Sequence, residues 1–134
     1  MDLNHNETAG RATRRILCAE DHPQMAELLA KVLSRAGHHV VCVADGHEAK
    51  IAFGKSHFDV VITDHHMPRV NGLELVAHLR AEAFAGKVVV HTSRLTPDEE
   101  TAYRSFAIDA IVMKPGGILK LPELLRVTCS QAVQ

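Results

Sequence analysis

The sequence predicts an α/β domain of five βα units, a doubly wound parallel sheet with helices on both faces. Two observations carry that prediction. Short Val- and Ile-rich runs alternate with amphipathic stretches about five times along the chain. The runs are also too continuous to leave one face wet, which is the pattern of strands buried on both sides. With 134 residues, 46% hydrophobic and 23% charged, the chain has room for one ordinary domain and not two.

Taken in order, residues 1–14 (MDLNHNETAGRATR) lack hydrophobic periodicity and read as a poorly ordered leader to a domain spanning 15–134. Strands are expected at Ile16–Ala19, Val40–Val43, Val60–Thr63, Val88–Val90 and Ala110–Met113. Pro23–Ala36 carries Met25, Leu28, Leu29, Val32 and Leu33 at helical spacing, with proline in its first turn and Gly37 at its stop. A weaker helix follows Asp45-Gly46, and a stronger one follows Gly72 with Leu73, Val76, Ala77 and Leu79. The fourth opens on Thr96, Pro97 and Glu99 at capping-box spacing, and the last starts near Pro122 and carries Leu124, Leu125 and Cys129.

Composition excludes some classes of function. Fifteen basic and sixteen acidic residues give a formal charge of −1, which argues against a nucleic-acid or membrane surface held by net charge. No apolar run approaches the roughly 20 residues of a membrane helix and none opens the chain as a signal peptide does, so a cytoplasmic protein is expected. Cys18, Cys42 and Cys129 have no metal-ligand spacing and read as reduced core residues. The ten histidines are conspicuous, because full protonation moves the formal charge from −1 to +9.

Parallel α/β sheets bind ligands at the carboxyl ends of their strands, and here four of the five ends are polar. The first strand runs into Glu20-Asp21, the third into Asp64, the fourth into Thr92-Ser93 and the fifth into Lys114-Pro115. Three carboxylates brought within about 4 Å repel by roughly 4 kcal/mol per pair at an effective dielectric of about 20 unless a cation intervenes. A set of oxygen ligands with open positions suits Mg²⁺, which typically completes its shell with water and a phosphate oxygen. Lys114 and Thr92 are suited to phosphoryl oxygens as point charge and hydroxyl donor. No G-x-x-x-x-G-K-[ST] loop is present, so the phosphoryl group is expected on a side chain, with Asp64 as nucleophile.

Over about residues 15–130 the chain resembles the receiver domain of two-component response regulators, chemotaxis regulators included. The segments that carry the resemblance are ILCAEDHPQM, GHHVVCVADGHEA, FDVVITDHHMPRVNGLELV, VVVHTSR and DAIVMKP. It implies a flavodoxin-like sheet of order 2-1-3-4-5. It also implies that Asp64 accepts a phosphoryl group from a sensor histidine kinase or a phosphotransfer protein. Glu20 and Asp21 then hold Mg²⁺ with Asp64 and the backbone carbonyl of His66, Thr92 is the hydroxyl switch, and Lys114 pairs with the phosphate. A receiver of this kind is not an enzyme on an outside substrate, although it assists its own phosphorylation and dephosphorylation. His66 and Arg94 match positions that flank the attacking water's route.

Two positions depart from the pattern. Ile111 stands where the family usually carries a switch aromatic, three residues before the lysine, and Gly116-Gly117 replaces the expected bulky residue after Lys-Pro, which predicts a mobile loop. Three functions follow: a phosphorylation-controlled signalling domain, a receiver-fold interaction module that no longer switches, and a metal or pH sensor built on His22, His65, His66 and His91. The sequence ends at Gln134 with no DNA-binding effector within it, so output is expected through a partner protein, on a face formed by roughly Asp98–Ser105 and Ile118–Arg126. The sequence assigns no oligomeric state.

Overall fold

Side chains alternate between the two faces of a strand, so each strand here feeds two cores at once. The protein is seen in a computed structural model that describes residues 13–126; all but the last two residues of the expected leader, and Cys129, lie outside that range. The elements are β1 (Arg15–Ala19), α1 (Pro23–Arg35), β2 (His39–Val43), α2 (Gly46–Lys55), β3 (Val60–Thr63), α3 (Gly72–Ala81), β4 (Lys87–Thr92), α4 (Pro97–Arg104) and β5 (Ala110–Met113). A 3₁₀ turn (Gly116–Lys120) leads into α5 (residues 121–126).

All pairings are parallel and the order is β2-β1-β3-β4-β5. Leu17, Ala19, Val61, Val88 and Val90 face Ala49 of α2, Leu75, Val76 and Leu79 of α3, and Tyr103 of α4. Ile16, Cys18, Val60, Ile62 and Val89 face Leu29 and Leu33 of α1, together with Ile118, Leu121 and Leu125. The sheet is therefore doubly wound, with its topological switch between β1 and β3, where a ligand crevice forms.

Helix starts follow local chemistry. Asp45 caps α2 through Glu48 N–H, and Thr96 and Glu99 form the expected capping box on α4. Asn71 and Glu74 form a second capping box on α3, which the sequence reading missed.

Two expectations are corrected. β2 is an edge strand with His39, Val41 and Cys42 exposed, so neither its continuous burial nor a core position for Cys42 holds; Cys18 is buried as expected. The last helix begins at residue 121, next to Pro122 as expected, and a 3₁₀ turn from Gly116 to Lys120 leads into it. The Gly116-Gly117 segment belongs to that turn, and a Cβ on the buried Gly117 would collide with Val112 Cγ1, so glycine there answers a packing demand.

Candidate functional site

The residues after β1, β3 and β5 are still held by the ladder. Glu20 N–H donates to Val43 C=O, Asp64 N–H to Ala19 C=O, and Lys114 N–H to Thr92 C=O, at 3.0, 3.0 and 2.8 Å. These bonds extend the sheet by one residue and fix three functional side chains on one edge. The Lys114–Pro115 peptide is cis.

The structure brings together the residues that the sequence proposed. Lys114 Nζ lies 2.8 Å from Asp64 Oδ2 and 2.8 Å from Glu20 Oε1. Ligand atoms of Glu20, Asp21, Asp64 and His22 all lie within 4.8 Å of one another. The side chains of Glu20 and Asp64 are 1% and 5% exposed. Three carboxylates and one ammonium leave the pocket two negative charges in excess. Asp21 Oδ1 is buried without a formed hydrogen bond, with His22 Nδ1 at 3.3 Å. Three carboxylates of excess charge −2, one with an unsatisfied buried oxygen, fit one hard divalent cation, with the exposed His22 imidazole beside them.

Burial alone raises the Asp64 carboxyl. The Lys114 hydrogen bond and charge, the Thr92 hydroxyl and the His65 N–H outweigh it and hold Asp64 below the usual carboxylate range, ionised at neutral pH. For Lys114 burial disfavours the charge, but the bonds to Asp64 and Glu20 prevail and the ammonium is held above its usual value. The Thr92 hydroxyl is fully buried and makes no well-aligned hydrogen bond, which leaves a donor free for a ligand oxygen beside Asp64.

The four histidines near the pocket do not act alike. His22 is exposed beside the carboxylates, and His66 and Arg94 are exposed at the rim. His65 is buried, with both ring nitrogens bonded to Tyr103 and Glu99. That contact spans 38 residues and had no signal in the sequence. The loop after β3 is pinned by Arg69, which sits at φ 67 and donates from Nε and a terminal nitrogen to Asp45 Oδ2 at 3.0 and 2.7 Å. A left-handed non-glycine residue costs of order 1 kcal/mol, which this bidentate pair offsets.

His91, 1% exposed on β4, has no hydrogen-bond partner at either ring nitrogen. Burial first, and then the Lys114 charge against the opposing pull of Asp64, lower its pKa from 6.5 to about 4. Between those values the unfolded chain binds the proton and the folded one does not. Stability from this residue is therefore complete above about pH 6.5 and is lost as pH falls toward 4, by up to about 3 kcal/mol. His91→Val, which matches the preceding three residues of the strand, is expected to raise stability at pH 7 by about 1–2 kcal/mol and to flatten that acid slope. Urea unfolding of both proteins across pH 4–7 reads the difference, and parallel curves would refute the assignment.

Comparison with known proteins agrees with this geometry. The chain is 34% identical over 115 residues to the sensory/regulatory protein RpfC of Xanthomonas campestris pv. campestris, which covers 83% of this chain and 16% of that protein. It is 35% identical over 112 residues to the transcriptional regulatory protein TcrA of Mycobacterium tuberculosis, covering 84% of this chain and 44% of that one. The chain thus spans less than half the length of either relative. The solved response regulator TrrA of Thermotoga maritima, in complex with Mg(2+)-BeF, is similar with a TM-score of 0.75 and 29% identity, over 85% of this chain and 97% of that one. The family model for the response regulator receiver domain matches residues 16–126, nearly the whole of the described fold, and the chain belongs to that family.

Proposed function

We propose that the chain accepts a phosphoryl group on Asp64 from a sensor histidine kinase or a phosphotransfer protein and passes the signal to a downstream protein by a change of conformation. The observation that carries this reading is the grip on Asp64: an ionised carboxylate with one oxygen on the Lys114 ammonium, beside an acidic pocket two charges short of neutrality.

Asp64 attacks the phosphorus of a phosphohistidine, forming a P–O bond as the P–N bond breaks, and the departing imidazole takes up a proton from solvent. Lys114 is placed to follow the charge from the carboxylate to the phosphoryl oxygens, and the buried Thr92 hydroxyl beside Asp64 to donate to another of them. Glu20, Asp21, Asp64 and the His66 carbonyl are the ligands we assign to Mg²⁺, which would supply positive charge to offset the excess of the pocket and that of the phosphoryl oxygens. TrrA's complex with Mg(2+)-BeF supports that assignment.

For the output face, the end of β5 and the 3₁₀ turn that follows it expose Met113 and Leu119, at 46% and 75%, beside polar neighbours, a surface suited to a protein partner. The reading is tested with a small-molecule phosphodonor. A mass gain of one phosphoryl group that requires Mg²⁺ and is lost in Asp64→Ala supports it; no gain in the native protein favours a module that keeps the pocket without using it.

A further inference from the structure

The residue after Asp64 is held from an unexpected direction. His65 is 4% exposed, its Nδ1 lies 2.7 Å from the Tyr103 hydroxyl and its Nε2 lies 3.0 Å from Glu99 Oε2. Tyr103, the sole tyrosine of the chain, is fully buried on α4. Glu99 is in the first turn of the same helix and uses its other oxygen to accept from Thr96 N–H. Burial, with Asp64 and Glu99 nearby, pushes the phenol far above its usual range, so the hydroxyl keeps its proton as a donor. An ionised Glu99 only accepts. One arrangement satisfies every polar atom: a proton on His65 Nε2 directed at Glu99, with Nδ1 accepting from the Tyr103 hydroxyl.

The backbone of His65 is equally constrained. Its N–H donates to Asp64 Oδ1 at 2.6 Å, and its C=O accepts from Gly72 N–H at 2.9 Å. A Cβ on Gly72 would collide with the Asp64 carbonyl and the Tyr103 hydroxyl, so the start of α3 closes against this group. Asp64 thus has one oxygen clamped by Lys114 and the other by the His65 amide. A phosphoryl group turns one carboxylate oxygen into a bridging oxygen, a poor acceptor, so one of the two clamps must release or re-form on the phosphoryl group. The imidazole meanwhile stays bolted to two successive turns of α4.

We propose that His65, Tyr103 and Glu99 are positioning residues that form a strut, through which occupation of Asp64 is transmitted to the N-terminal turns of α4. The proposal rests on the phosphoacceptor reading above and adds the route by which that site moves a helix. A buried imidazole bonded at both nitrogens across 34 and 38 residues of sequence has two discrete options, in place or displaced, which is the kind of element that carries coupling.

Amide exchange at residues 97–104, with and without Mg²⁺ and beryllium fluoride, tests it on the intact chain. In the native protein loading is expected to change exchange in α4 by about fivefold or more. Tyr103→Phe, which keeps the ring and removes only the hydroxyl, is expected to bind beryllium fluoride still and to show less than about a twofold response. Glu99→Ala is expected to lose the response and Glu99→Gln, whose amide oxygen still accepts from Nε2, to keep most of it. The loaded-to-unloaded ratio is the readout, because a merely structural role in capping α4 shifts both states alike. Full α4 response in Tyr103→Phe and Glu99→Ala, or a native α4 indifferent to bound beryllium fluoride, overturns the strut and leaves the phosphoacceptor reading standing. A native protein that binds no beryllium fluoride overturns both.

Discussion

Lys114→Met is expected to lower the unfolding free energy in magnesium-free buffer by about 3 kcal/mol. The ammonium, 12% exposed, is shared by two carboxylates that are themselves almost fully buried. Breaking a buried pair leaves its partner charged and unsolvated, and here two partners are left at once. The Asp64 carboxyl then loses the strongest influence holding it below its usual range, and burial pushes it upward, so the variant relieves part of the strain by taking up a proton. Magnesium is expected to restore much of the loss, because the carboxylates that remain are the ones assigned to hold it. Urea unfolding with and without Mg²⁺ measures both effects. A variant as stable as the native protein without the metal would show that the ion pairs are incidental to the fold.

Arg80→Ala is expected to cost about 3 kcal/mol without touching the acidic pocket. Its guanidinium donates from Nε to Phe106 C=O at 2.8 Å and from its terminal nitrogens to Phe84, Gly86 and Ala107 C=O at 2.8, 3.3 and 3.0 Å. Those carbonyls belong to the turns after α3 and α4, and both turns place an alanine in the left-handed region, Ala83 at φ 63 and Ala107 at φ 56. Glycine normally takes such positions, so the two turns are strained and Arg80 ties them together ahead of β4 and β5. Arg80→Lys is expected to recover little, since one ammonium cannot reproduce the planar fork. Thermal or urea unfolding reads the cost, and a loss below about 1 kcal/mol would show that water replaces the fork.

The pocket was legible in the sequence because parallel topology converts four strand ends, far apart in the chain, into one edge. Glu20, Asp21, Asp64, Thr92 and Lys114 stand there as read. The capping box of Thr96 and Glu99 was legible because its spacing is local. What escaped reading depends on position in the sheet or on distant partners. Cys42 lies in an apolar run like that of Cys18, but β2 ends up at the edge and β1 in the interior, so one thiol is exposed and the other is not. Arg80 looks like any cation on an amphipathic helix until the turns after α3 and α4 are seen to meet beneath it. Tyr103 and His65 are unremarkable singly, and only the packing of α4 against the end of β3 makes them a pair. Gly117 suggests slack in the chain, whereas Val112 is what demands it.

Borohydride reduction after treatment with a phosphodonor tests the proposed chemistry most directly, since it converts an aspartyl phosphate into homoserine, which peptide sequencing then locates. Homoserine is expected at position 64 alone, and only when magnesium accompanied the donor. A stable phosphoryl group on His65 or His66 with Asp64 unreduced, or reduction at another carboxylate, would contradict it.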